Sequence, residues 1–109
     1  MKQVLIQFNF PNVSVKQYES VWNDLRASGH SHPKGLISHV GAPTPDGGLC
    51  VVDIWESQEA FDEFGNTLMP LILKHDIPVV QPKVLQAHYV LIEGQFETQQ
   101  WPDELIENF

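Results

Sequence analysis

The chain has 109 residues, 42% of them hydrophobic and 18% charged, and a formal net charge of -8. That length allows one domain with a single two-layer core, and the composition excludes a disordered chain. The acidic balance also argues against a nucleic-acid partner, because phosphate binding needs a clustered positive surface. The opening Met1-Lys2-Gln3-Val4-Leu5 lacks the apolar stretch of a signal peptide or membrane span, so a cytoplasmic protein with no membrane partner is expected. The single cysteine, Cys50, lies in an apolar run and reads as a small buried hydrophobe without an internal disulfide.

Val4 to Phe10 is β-branched and aromatic, a first strand closed by Pro11. Ser14 and Gln17 then have the spacing of a capping box, with Val13 and Tyr18 at the two positions of a hydrophobic staple. Tyr18, Val21, Trp22 and Leu25 continue along one helical face, and Gly29 can end that helix. Gly35 to Gly41 reads as a second strand. The run Pro43-Thr44-Pro45-Asp46-Gly47-Gly48 is the strongest turn signal in the chain.

Leu49 to Trp55 is a third strand, apolar on both faces, which must therefore be covered on both sides. Ser57 caps a second helix whose face carries Phe61, Phe64, Leu68, Leu71 and Ile72. Gly65 and Pro70 weaken its middle, and a kink or break is expected just before Pro70. Val84 to Ile92 is a fourth strand. No Lys or Arg follows Lys83, whereas Glu93, Glu97, Asp103, Glu104 and Glu107 do, so residues 94–109 form an acidic tail on a domain of residues 1–93.

The order β-α-β-β-α-β is the ferredoxin-like pattern of an α+β fold: a four-stranded antiparallel sheet with two helices on one face. Depending on register, its other face carries Val51 and Trp55, or Cys50, Val52 and Ile54. Either set is too apolar for water, and a large exposed apolar face marks an interface. A homodimer packed sheet to sheet, closing a dimeric α/β barrel, is expected. Phe96, Trp101, Leu105, Ile106 and Phe109 give the tail enough apolar surface to clasp the partner or its own core.

The stretch from His39 to Asp46-Gly47, followed by Val51 to Phe61, resembles small proteins of the dimeric α/β-barrel superfamily. More narrowly, it resembles uncharacterised members of the antibiotic-biosynthesis-monooxygenase-like group. The resemblance implies the fold, and for activity it implies one of several outcomes. These are cofactor-free oxidation of quinol-like substrates, haem degradation, or no activity at all. Haem-degrading relatives use an asparagine on the first strand, a tryptophan on the second helix and a histidine near that helix's end. Asn9 and His75 are the counterparts here, but Phe64 stands in the tryptophan's place and the histidine spacing differs by one.

A hairpin pivoting about Asp46 pairs His39 with Asp53, Gly41 with Val51 and Ile37 with Trp55. Directly opposed side chains lie roughly 5 Å apart, within hydrogen-bond reach for His and Asp. An aspartate accepting from one imidazole nitrogen fixes the tautomer and leaves the other nitrogen basic. His88, on the fourth strand, faces the same side if the pleats align. The alternatives are a buried pair that only satisfies itself, or two residues on opposite faces after a one-residue slip.

The pairing makes His39 and Asp53 the catalytic candidates, with His88, Trp55, Phe64 and Asn9 lining a site for a small apolar or aromatic ligand. The resemblance implies the activity, cofactor-independent oxidation of a phenolic or quinol-like substrate. In that mechanism His39 takes a proton from the substrate hydroxyl and the resulting anion reacts with oxygen. No cofactor is expected. His30 and His32 are spaced like a metal clip but lack a carboxylate or cysteine partner, so no metal is expected either. A non-catalytic ligand-binding or interaction module on the same fold is the alternative.

Overall fold

A computed structural model describes residues 2–94. Beyond Gly94, the acidic tail and its proposed clasp lie outside the described residues. The elements are β1 (Val4–Phe10), α1 (Val15–Ala27), β2 (Leu36–Pro43), β3 (Leu49–Trp55), α2 (Gln58–Lys74) and β4 (Lys83–Gln86). They form one antiparallel sheet in the order β2-β3-β1-β4, the ferredoxin-like arrangement.

Local chemistry explains most of the boundaries. The capping box at α1 is complete: Gln17 N–H donates to Ser14 Oγ at 3.1 Å, and Ser14 N–H donates to Gln17 Oε1 at 2.9 Å. Val13 packs beneath that cap in one cluster with Val21 and Leu25, and Tyr18 packs against it. The β2–β3 turn is closed by Thr44 N–H donating to Gly48 O at 3.0 Å, with Gly47 at a φ of 88° that other residues rarely adopt. Ser57 caps α2 by accepting from Ala60 N–H at 3.1 Å.

Three expectations are corrected. There is no break before Pro70: α2 is one helix through it. Both Pro70 and Asn66, whose carbonyl would have taken the missing N–H, are exposed, so water can satisfy that carbonyl. A bulge at Ile37 shifts β2, so Leu36 rather than Ile37 faces Trp55, while His39–Asp53 and Gly41–Val51 pair as expected. β4 ends at Gln86 instead of Ile92, because its partner runs out: Gln86 pairs with Val4, the first residue of β1. One further bond, Ala87 N–H to Gln3 O, closes the ladder.

Alternation along β3 sorts the two faces. Leu49, Val51, Asp53 and Trp55 are buried towards the helices, while Cys50, Val52 and Ile54 face away. The helix side holds the core, with Ile6, Trp55, Leu25 and Val13 less than 2% exposed. Burying side chains of this size stabilises the fold by about 1.5–3 kcal/mol each. The far face gathers Leu5, Val52, Ile54, Val40 and Leu85 by register, the last two more than half exposed. Among the described residues, no helix is long and apolar enough to cross a membrane.

Candidate active site

Between the helix-facing side of the sheet and the two helices lies a cavity of about 140 Å³. Its walls are mostly apolar and aromatic, with Phe8 from β1, Trp22 from α1, Val51 from β3 and Phe61, Phe64 and Leu68 from α2. Trp55 closes one end, its ring centroid 5.8 Å from Phe61 and 5.6 Å from Phe64. α2 has no fully buried residue, so the cavity opens along that helix.

Three polar side chains on this wall form a chain of hydrogen bonds. His39 and Asp53 are cross-strand partners, and Nδ1 of the imidazole lies 2.6 Å from Asp53 Oδ1. The other carboxylate oxygen accepts the indole N–H of Trp55 at 3.1 Å. On the far side of the imidazole, Nε2 lies 2.5 Å from the hydroxyl of Tyr18. A carboxylate only accepts, so Nδ1 carries the proton and Nε2 presents a lone pair to which the Tyr18 O–H donates. The direction is thus Tyr18 to His39 to Asp53.

Packing holds the chain in place. The indole of Trp22 meets the imidazole edge-on, with centroids 4.9 Å apart, and the Tyr18 ring lies nearly parallel to it. Asp53 is 8% exposed and has both oxygens occupied, so the cost of burying its charge is offset by two donors. Burial pushes the Tyr18 hydroxyl up to about 12, with the nearby charges of Asp53 and Glu19 adding to it and the Trp22 hydrogen bond and Arg26 opposing it. Tyr18 is therefore a proton-bearing hydroxyl across the ordinary pH range.

Of the residues read from sequence, His39, Asp53, Trp55 and Phe64 come together at this cavity. Two do not. Asn9 is exposed and pairs with Cys50, so strand alternation sends it to the opposite face from Phe8 and Phe10. His88 follows the end of β4 in a bend, exposed, because the strand expected to carry it has no partner there. His75 caps α2 and bonds to Asp24 instead. His30 bonds to Ser28 in the loop after α1.

Tyr18 and Trp22 were read only as parts of a helix face and are the site residues that reading missed. One signal was available, in Gly41. A Cβ built there would fall within 2.5 Å of Tyr18 Cζ, so only glycine lets the tyrosine reach across β2 to His39. A glycine inside a strand often marks such a close approach.

No family model and no curated protein matches the chain. Solved structures do match, at low identity. SnoaB, a cofactor-independent oxygenase from Streptomyces nogalater, aligns with a TM-score of 0.59 at 14% identity, over 84% of this chain and 98% of that one. A dimeric ferredoxin-like protein from an uncultured marine organism gives 0.58 at 15% identity, over 86% of this chain and 95% of that one. A monooxygenase from Streptomyces coelicolor, in complex with the ligand nanaomycin D, gives 0.53 at 14% identity, over 85% of this chain and 93% of that one. The chain therefore has the fold of antibiotic-biosynthesis-monooxygenase-like proteins, as its sequence resemblance implied.

Proposed function

We propose that this protein is a cofactor-independent oxygenase of a small planar aromatic hydroxyl compound, with His39 as general base and Asp53 orienting it. The observation that carries this reading is the hydrogen-bonded chain Tyr18–His39–Asp53 on the wall of an otherwise apolar cavity. A few convergent polar groups in an apolar pocket are the usual form of a small-molecule site. Because Tyr18 covers Nε2, the substrate proton reaches His39 through the tyrosine oxygen, which accepts one proton as it passes on its own.

The electron-rich anion then reacts with molecular oxygen at a ring carbon. The ring gains one oxygen atom and gives up two hydrogens, and the second oxygen atom leaves with them as water. The substrate supplies all four electrons. Oxygen uptake with a panel of hydroxyarenes, compared between wild type and His39→Gln, tests the assignment. Equal turnover in both proteins would sink the general-base role.

A second reading is a ligand-binding module without turnover. It is favoured by the same chain, since both imidazole nitrogens are already engaged. Saturable ligand binding with no oxygen uptake by wild type would select it.

In either reading the protein works as a homodimer joined through the far face of the sheet. Val40 and Leu85 stand 58% and 51% exposed there, and Tyr89, Leu91 and Ile92 just after β4 are 81%, 65% and 45% exposed. Exposed apolar side chains of this size on and beside one sheet face support an association site there. Sedimentation at micromolar concentration is expected to show a dimer; a monomer would mean that another element covers this face.

A further inference from the structure

Resting on the reading of the cavity as a substrate site, we propose that it takes a single-ring phenol whose hydroxyl donates to Tyr18. Two observations carry this, one of size and one of hydrogen-bond supply.

The cavity is about 140 Å³ and its lining is dominated by Phe, Trp, Leu and Val side chains. An engineered apolar cavity of about 150 Å³ stays dry and binds benzene. One aromatic ring therefore fills the space, while a fused three-ring system, with more than twice as many ring carbons, exceeds it and must leave part of itself outside along α2.

The polar side chains on the wall are nearly all spent. Asp53 has one oxygen on His39 and the other on Trp55, and His39 has one nitrogen on Asp53 and the other on Tyr18. What remains is the Tyr18 oxygen. It gives its single proton to His39, so the positions left on it, its two lone pairs, are acceptors. A ligand group arriving there must bring a proton, so the site selects a hydroxyl and rejects an ether or a carbonyl, which would leave two acceptors facing each other.

Isothermal titration of the full-length protein with phenol, anisole and 9-anthrol tests both parts. Phenol is expected to bind about tenfold more tightly than anisole, the worth of one hydrogen bond in a mostly apolar site. Tyr18→Phe alone uncovers the His39 Nε2 lone pair as a substitute acceptor, so the double variant Tyr18→Phe/His39→Phe is the one expected to erase that preference. 9-Anthrol is expected to bind more weakly than phenol. Equal affinity for phenol and anisole in wild type overturns the hydroxyl selection without need of any variant. Tighter binding of 9-anthrol than of phenol overturns the size limit. These outcomes are separate from catalysis: phenol binding without oxygen uptake removes the oxygenase reading and leaves the ligand class standing. Oxygen uptake on 9-anthrol without phenol binding does the reverse.

Discussion

Among the described residues, two histidine–aspartate pairs of nearly equal length sit in different settings. His39 and Asp53 meet at 2.6 Å inside the helix–sheet layer, and His75 and Asp24 meet at 2.7 Å where α2 ends against α1. In the first, the Asp53 side chain is 11% exposed and its second oxygen takes a neutral indole N–H. In the second, the same oxygen that meets His75 also meets the Lys74 ammonium at 3.0 Å, and the Asp24 side chain is 27% exposed. Distance alone therefore does not separate a site from a clasp. What separates them is the third partner: a hydroxyl facing a cavity in one case, a solvated cation in the other.

If burial makes the difference, removing the inner carboxylate has the larger effect. Asp53→Ala leaves the Trp55 indole N–H and the His39 Nδ1–H without acceptors in the core. Two orphaned donors of this kind cost about 3 kcal/mol together. Urea unfolding of wild type and variant measures it, and a loss under about 1 kcal/mol would mean that water reaches the pair. Gly41→Ala comes next. Its methyl group would collide with the Tyr18 ring, so the tyrosine must withdraw from His39 at a cost of about 1–3 kcal/mol. The expected signature is an altered phenol affinity in a protein that still folds, as the Tyr18 hydroxyl leaves its place and His39 Nε2 is uncovered.

Tyr18→Phe is smaller in stability, about 1 kcal/mol for one lost hydrogen bond, but has a clear pH signature. A tyrosine whose folded value is raised from 10.0 to about 12 keeps its proton in the native state after the unfolded chain has lost it. The unfolded state then binds fewer protons, so stability is full below about pH 10 and falls as pH rises towards 12. Ultraviolet titration should show the ionisation near 12 in wild type and its absence in Tyr18→Phe. An unchanged titration would place the hydroxyl in water.

The fold was legible in the sequence because its signals are local. Ser14 with Gln17, the Pro43–Gly48 turn and the apolar run of β3 each settle a boundary within a few residues. The inner pair was legible for the same reason, since a short turn fixes which residues of β2 and β3 face each other. Tyr18 was not, because its partner lies 21 residues away on another element and its spacing is that of any helix core position. His88 and Asn9 failed for related reasons. One depends on where a partner strand begins, and the other on which face of β1 turns to the helices, and both are set by long-range pairing.

The outer pair gives the smallest effect and completes the contrast. The His75 hydrogen bond, and after it that of Lys74, hold the Asp24 carboxyl below its ordinary 3.8. Its folded value is depressed, so the stability it adds is present above 3.8 and is lost as pH falls through the lower folded value. Asp24→Asn should therefore flatten the acid limb of the stability curve and leave neutral-pH ligand binding unchanged. Gln17 also ties α1 to the end of α2, its Nε2 donating to His75 O at 3.0 Å, so the helix ends stay together without the carboxylate. If Asp24→Asn instead changed phenol affinity as much as Gly41→Ala does, the two pairs would be coupled through α2, and the third-partner distinction between site and clasp would fall.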